Sequence, residues 1–264
     1  MTPINKLAAI VLLLTLVILP TSGQQTAEEW LNQGIALGNQ GKFDEAIQAF
    51  DEAIRINPQL AEAWYNKGVT FYGQHKYEEA INAYDEAIRL DPNAAVAWLN
   101  KGVTFYGQHK YEEAINAYDE AIRINPQYAE AWSNKGAAFD DEGKPDEAIQ
   151  AFDEAIRINP QYAEAWYGKG NALYNQGKYD DAILAYDEAI RINPQYAKAW
   201  LNKGAALGAQ GKLDEAIQAF DEAIRINPQL AEAWNNKSNA LKQLNRTTEA
   251  DAAYAKAREL GYAG

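Results

Sequence analysis

The seven tryptophans of the chain stand at positions 30, 64, 98, 132, 166, 200 and 234, and every interval between them is 34 residues. A period of that length, kept without insertion over residues 27–264, describes one supersecondary unit copied seven times: 27–60, 61–94, 95–128, 129–162, 163–196, 197–230 and 231–264. Such a chain has no single closed core, because each unit covers its apolar faces by stacking on its neighbours. Length therefore says nothing about domain number here. The 47% apolar and 23% charged composition is that of an ordered chain.

The unit over residues 129–162 reads AEAWSNKGAAFDDEGKPDEAIQAFDEAIRINPQY. Trp132, Gly136 and Phe139 follow one another by four and three, which is one face of a helix. Gly143 and Lys144 break the pattern, and Ala148, Phe152, Ala155 and Ile156 resume it. Asn159-Pro160 ends the second helix, since proline disfavours helical geometry in the residue before it. Each unit is predicted to be helix, tight turn, helix. The turn position holds Gly41, Gly143, Gly177 and Gly211, with His75, His109 and Asn245 in the other units. Asn and His tolerate positive φ better than most side chains, so both histidines read as turn residues. Pro145 opens a second helix, where its missing N–H costs nothing.

Trp, Gly four residues later, an apolar or aromatic residue three further on, then Ala, an aromatic and Pro make up a pattern that resembles the tetratricopeptide repeat over residues 27–264. The resemblance implies an all-α fold, an α-solenoid in which seven antiparallel helix-turn-helix units form a right-handed superhelix. One departure recurs. Where the family usually carries Leu before the Gly, this chain has Lys67, Lys101, Lys135, Lys169, Lys203 and Lys237, with Gln33 in the first unit. Stems of that length cover apolar surface while the ammonium reaches water or a carboxylate.

The second helix carries two Ile seven apart in six units, from Ile47/Ile54 to Ile217/Ile224, and in the seventh the pair becomes Asp251/Arg258. This face is expected to meet the next unit, which makes the last unit a polar C-terminal cap. Asp51 and Arg55, with their equivalents, lie four apart and are expected to form exposed pairs along the second helix.

Chemistry is scarce. With 24 Lys and Arg against 37 Asp and Glu, the net charge of -13 argues against nucleic acid as a partner and against an anionic membrane face. The absence of Cys rules out disulfides, thiolate catalysis and Cys-ligated zinc. No phosphate loop, nucleophile elbow or paired-His zinc motif occurs, so no enzyme activity, cofactor or metal is expected. Asp140, Asp141, Glu142, Asp146 and Glu147 lack the spacing of a calcium loop and read as a solvated turn. Asn236-Lys237-Ser238 and Asn245-Arg246-Thr247 are sequons for glycosylation, Asn245 in a turn and Asn236 within a helix.

Comparing the seven units with one another separates scaffold from variable surface. The Trp, the second-helix Ala and the aromatic of that helix hardly change. Three places on the first helix vary freely. One reads Leu31, Tyr65, Leu99, Ser133, Tyr167, Leu201, Asn235; the next reads Ile35, Val69, Val103, Ala137, Asn171, Ala205, Asn239; the third reads Gly38, Tyr72, Tyr106, Asp140, Tyr174, Gly208, Lys242. They are spaced by four and three and so form one stripe. The family resemblance implies that this stripe lines a concave groove gripping peptides. The contact residues expected are Tyr65, Val69 and Tyr72 in unit two, Leu99, Val103 and Tyr106 in unit three, and Tyr167, Asn171 and Tyr174 in unit five. The chaperone-binding members of the family hold a terminal carboxylate with Lys and Asn in this stripe. Here Leu, Tyr, Ser or Asn stands at the Lys place, so recognition of a carboxylate tail is not expected.

The start of the chain is different in kind. Lys6 is the only charged side chain before Glu28, and residues 7–19 form an uncharged apolar run of 13. That is too short to span a bilayer core of ~30 Å at ~1.5 Å per residue. A basic start, a short apolar centre and then Pro20, Thr21, Ser22 and Gly23 match a secretory signal peptide over residues 1–23, with 24–26 as a short linker. The alternative is an uncleaved anchor, in which case residues 7–19 are the only membrane contact. Either way the array is expected outside the cytoplasmic membrane, secreted or in the cell envelope. The function expected is a protein-protein interaction scaffold holding a protein or peptide segment; the alternative is a structural spacer or self-assembling envelope component.

Overall fold

A computed structural model of the chain describes residues 25–262. The expected signal peptide over residues 1–23 lies outside the described residues. Fourteen helices and no strands are present among them. The first helices of the units are α1 (Ala27–Asn39), α3 (Ala61–Gly73), α5 (Ala95–Gly107), α7 (Ala129–Asp141), α9 (Ala163–Asn175), α11 (Ala197–Ala209) and α13 (Ala231–Gln243). The second helices are α2 (Phe43–Ile56), α4 (Tyr77–Leu90), α6 (Tyr111–Ile124), α8 (Pro145–Ile158), α10 (Tyr179–Ile192), α12 (Leu213–Ile226) and α14 (Thr247–Glu259).

Local chemistry sets the ends of these helices. Thr26 and Glu29 form a reciprocal capping box at the start of α1, with Thr26 N–H donating to Glu29 Oε2 at 2.8 Å. Between the helices of a unit the chain turns through one residue with positive φ: +59° at His75, +58° at His109 and +59° at Asn245, with Gly in the others. The link between units begins with an Asx turn; Asn57 Oδ1 accepts from Gln59 N–H at 3.1 Å.

Each helix packs on the next one along the chain, giving an α-solenoid. Consecutive odd-numbered helices also touch, with Cα atoms within 8 Å from α1·α3 to α11·α13. Among the described residues no two even-numbered helices come that close. The stack is therefore tighter on the side of the first helices, and that side is the inner, concave face.

Small residues make the stack tight. A Cβ built on Gly102 would lie 2.5 Å from the Tyr118 ring, so the buried aromatic of the second helix sits directly on the backbone of the first. Ala at two places of the second helix, as in Ala114 and Ala121, is fully buried. The Ile pair does face the next unit. Ile115 and Ile122 pack with Ala131 and Ala138, and Ile183 packs against the cluster containing Leu201 and Leu207. Asp251 and Arg258 at these places in α14 are exposed.

The lysines before the Gly have a defined role. Lys101 Nζ lies 2.5 Å from Asp85 Oδ1 and 5.1 Å from the centre of the Trp98 ring, its side chain only 16% exposed. The stem covers the indole while the ammonium ties α5 to α4 of the unit before. The same pairing joins Asp51 to Lys67 and recurs through to Asp221 and Lys237. This corrects the expected pairing of Asp51 with Arg55. Asp51 points across to the following helix, and Arg55 reaches back three residues to Glu52 at 2.8 Å.

Candidate functional site: the concave face of the first helices

Side chains one residue after each Trp sit where consecutive first helices meet. Leu31, Leu99, Ser133, Leu201 and Asn235 are all buried there. Leu99, expected as a groove contact, is therefore a correction: it is 3% exposed and packs with Tyr118 and Ala131. A leucine at this place ends inside the helix-helix contact, whereas a tyrosine extends beyond it. Tyr65 and Tyr167 reach out in this way, half-buried, with hydroxyls accepting from Asn100 Nδ2 at 2.9 Å and Asn202 Nδ2 at 3.1 Å. Each bond spans 35 residues, one unit plus one, and so stitches one first helix to the next.

The second and third places open onto the groove. Val69 is 40% exposed, an apolar side chain with nothing over it in the free chain. Val103 is partly covered against the core of unit three. Tyr72, Tyr106 and Tyr174 are half-buried, and each leans on the tyrosine opening its second helix, with ring centres 5.8, 5.6 and 5.3 Å apart. The Tyr106 hydroxyl donates to Asp141 on the next unit. Burial first, and then that carboxylate, push the Tyr106 pKa up, so the phenol stays protonated.

Units four to seven line a cavity of about 400 Å³, open to solvent, whose walls are Asp140, Asn171, Tyr174, Asn175, Tyr186, Asn202, Ala205, Glu232 and Asn236. Asn171 and Tyr174, both expected contact residues, meet there. A chain of polar groups crosses its floor: Tyr186 O–H donates to Asn171 Oδ1 at 3.0 Å, and Asn202 Nδ2 donates to the same oxygen at 2.9 Å. Asn175 Nδ2 lies 3.2 and 3.3 Å from the Asp140 carboxylate oxygens. Desolvation raises the Asp140 pKa, and the Asn175 bond opposes that rise.

The expected contact residues leave out Asn100, Asn175, Asn202 and Asn236. A signal for three of them was present: the second residue after each Trp is Asn in every unit except the fifth, where it is Gly168. A Cβ on Gly168 would fall 2.4 Å from the Phe152 ring, which occupies the space that the asparagine side chain takes elsewhere. Among the described residues no group of His, Asp and Glu is arranged to hold a metal. No helix among them is long and apolar enough to cross a membrane. Of the sequons, Asn245 is exposed at its positive-φ turn and Asn236 lies on the cavity wall.

Against known families, the tetratricopeptide repeat model matches residues 31–95, 65–129, 99–163, 134–197, 167–231 and 201–263. The chain belongs to the tetratricopeptide repeat family. Among solved structures it is similar to MamA, at 28% identity over 60% of this chain and 93% of that one, with a TM-score of 0.56. It is similar to YrrB, described as "a TPR protein with an unusual peptide-binding site", at 26% identity over 71% of this chain and 96% of that one, TM-score 0.57. A tetratricopeptide repeat protein from Parabacteroides merdae shares the fold over 91% of this chain and 95% of its own, at 20% identity and a TM-score of 0.72. A comparison with curated proteins found no match.

Proposed function

We propose that this chain is a non-catalytic scaffold, exported by its N-terminal segment, that holds a protein or peptide segment in the concave groove of its first helices. The observation that carries the reading is the composition of that groove. Half-buried tyrosines of units two, three and five lie on this face, and the amides of Asn171, Asn175, Asn202 and Asn236 line its open cavity. Tyr offers wide contact area with a polar tip and few torsions, and amides satisfy the backbone groups of a bound segment. The fold is one typical of protein-protein interaction, and YrrB, at 26% identity, is described as having a peptide-binding site. Both support the reading.

The test is capture from the native envelope fraction with the chain as bait, beside a variant carrying Tyr72→Ala, Tyr106→Ala and Tyr174→Ala. A partner lost from the variant supports groove binding. A partner kept moves the site elsewhere, and recovery of the bait alone favours a spacer or self-assembling component. Export is tested by intact mass of the protein from the envelope or medium. A chain beginning after Gly23 supports cleavage, and one still beginning at Met1 overturns it.

A further inference from the structure

Away from the groove, two columns of repeated carboxylates on the second helices have cations of their own. Each Asp equivalent to Asp51 is held by a lysine at 2.5–2.6 Å, and each Glu equivalent to Glu52 by an arginine at 2.8–2.9 Å. The cavity between units four and seven is built the other way. Asp140 is partly buried on its wall and receives only the Asn175 amide, through the two long contacts given above. Glu232 stands exposed across the same cavity. Among the described residues no Lys or Arg nitrogen lies within 4.0 Å of Asp140, Asp141 or Glu232. Lys198, on the first turn of α11, is exposed and does not line the cavity. This half-buried carboxylate has an amide as its one donor; desolvation, with the neighbouring Asp141 charge, raises its pKa against the opposing Asn175 bond.

We propose that this cavity receives the side chain of a lysine or arginine carried by an extended protein segment, with Asp140 and Glu232 as its counter-ions. This rests on the groove reading and names what the groove selects. Charge complementarity carries it: two carboxylates without a Lys or Arg partner line one cavity, and a guanidinium or ammonium entering it supplies the opposite charge. Tyr174, on the same wall, adds an aromatic ring of the kind that attracts cations. Asn202, whose Nδ2 is already bonded to Tyr167 and Asn171, and Asn236 also line the cavity and leave amide oxygens for a guanidinium or a backbone N–H. A volume of about 400 Å³ holds one long side chain with water around it. Arginine fits better than lysine, since its planar fork meets carboxylate and amide oxygens together.

The test uses the full chain and a positional library of acetylated, amidated nonapeptides, read by fluorescence anisotropy. One position at a time is fixed as Arg, Lys or citrulline, the last matching arginine in shape without its charge. At one position Arg is expected to bind roughly tenfold more tightly than citrulline, the scale of a hydrogen-bonded charge. In the Asp140→Asn, Glu232→Gln variant the Arg-to-citrulline ratio falls to about one, with the thermal transition checked by circular dichroism. If the double variant does not fold, Glu232→Gln alone, at an exposed position, carries the comparison. Peptides that bind without preference for a basic residue, or a preference that survives in the variant, overturn this inference and leave the groove reading standing. If no nonapeptide binds at all, this inference falls, and the envelope capture decides the groove reading.

Discussion

Gly102 and Gly38 both lie in first helices, yet substitution by Ala should act in opposite directions. Ala in a helix is favoured over Gly by about 0.8–1.0 kcal/mol. At Gly38 the nearest side-chain atoms to an added Cβ are 3.9 Å away, so that gain is free to appear, reduced because the site is in the last turn. At Gly102 the Cβ would meet the Tyr118 ring at 2.5 Å, and the ring is 1% exposed with nowhere to move. Overpacking of this kind costs about 1–3 kcal/mol, more than propensity returns. Urea unfolding is therefore expected to show Gly38→Ala neutral or slightly stabilising and Gly102→Ala destabilising; equal effects would mean that the ring contact is not limiting. Asp140 gives a pH prediction. Its carboxyl pKa is raised in the folded chain, so the folded state holds its proton more tightly than the unfolded one. Its contribution to stability is then present below the unfolded pKa and lost as pH rises through the raised value. Asp140→Asn should increase the free energy of unfolding at pH 7, by less than about 1 kcal/mol because the site is only half-buried, and the two proteins should converge in acid. A variant that is less stable than the parent at pH 7 would show that the carboxylate is already satisfied.

The helices, their turns and their order were readable from the period of the Trp and from Gly, His and Asn at the turns. What the period could not supply was which partner a charged side chain chooses. Asp51 and Arg55 are spaced correctly for a pair along α2, but the lysine of α3 lies closer once the units stack, and helical spacing carries no information about a neighbouring helix. Leu99 was misplaced for the same reason. Its stripe does face inward, but the first helices approach so closely that only longer side chains emerge from their contact. The inner asparagines were visible as a column yet silent in role, because an amide at that place is read only when the tyrosine of the unit before is seen to reach it. These contacts separate charge from packing at Lys101. Its stem lies over Trp98 with the side chain 16% exposed, while Asp85 is 49% exposed. A pair with one partner in solvent is worth little, typically less than about 1 kcal/mol, and salt screens it. Asp85→Ala should then change stability by a few tenths of a kcal/mol, and Lys101→Ala by about 1 kcal/mol or more through lost cover of the indole. Unfolding of both variants at low and high salt checks this; equal losses that vanish in salt would assign the role to the charge instead.

An array of stacked units must end somewhere, and both ends of the described array carry a polar substitution at an interface position. In units two to seven the residue preceding each Trp is an Ala, from Ala63 to Ala233, and all six are fully buried against the unit before. In unit one that place is Glu29, which bonds instead to the Thr26 N–H and closes the capping box. Ala36, at the place of the buried Thr104 and Ala138, is exposed. At the other end Asp251 and Arg258 replace the Ile pair on the face that a following unit would cover. The two ends are thus halves of the same interface, each with charged side chains where the inner units are apolar. A contact between the end of one copy and the start of another is head-to-tail and does not close, so it propagates into filaments once it becomes favourable. Asp251→Ile with Arg258→Ile restores one half and is expected to produce concentration-dependent oligomers in sedimentation velocity. Adding Glu29→Ala restores the other half and should lengthen them further. If the triple variant sediments as the parent does at every concentration, the terminal charges are not what holds the copies apart, and the Ile face gains its stability only within one chain.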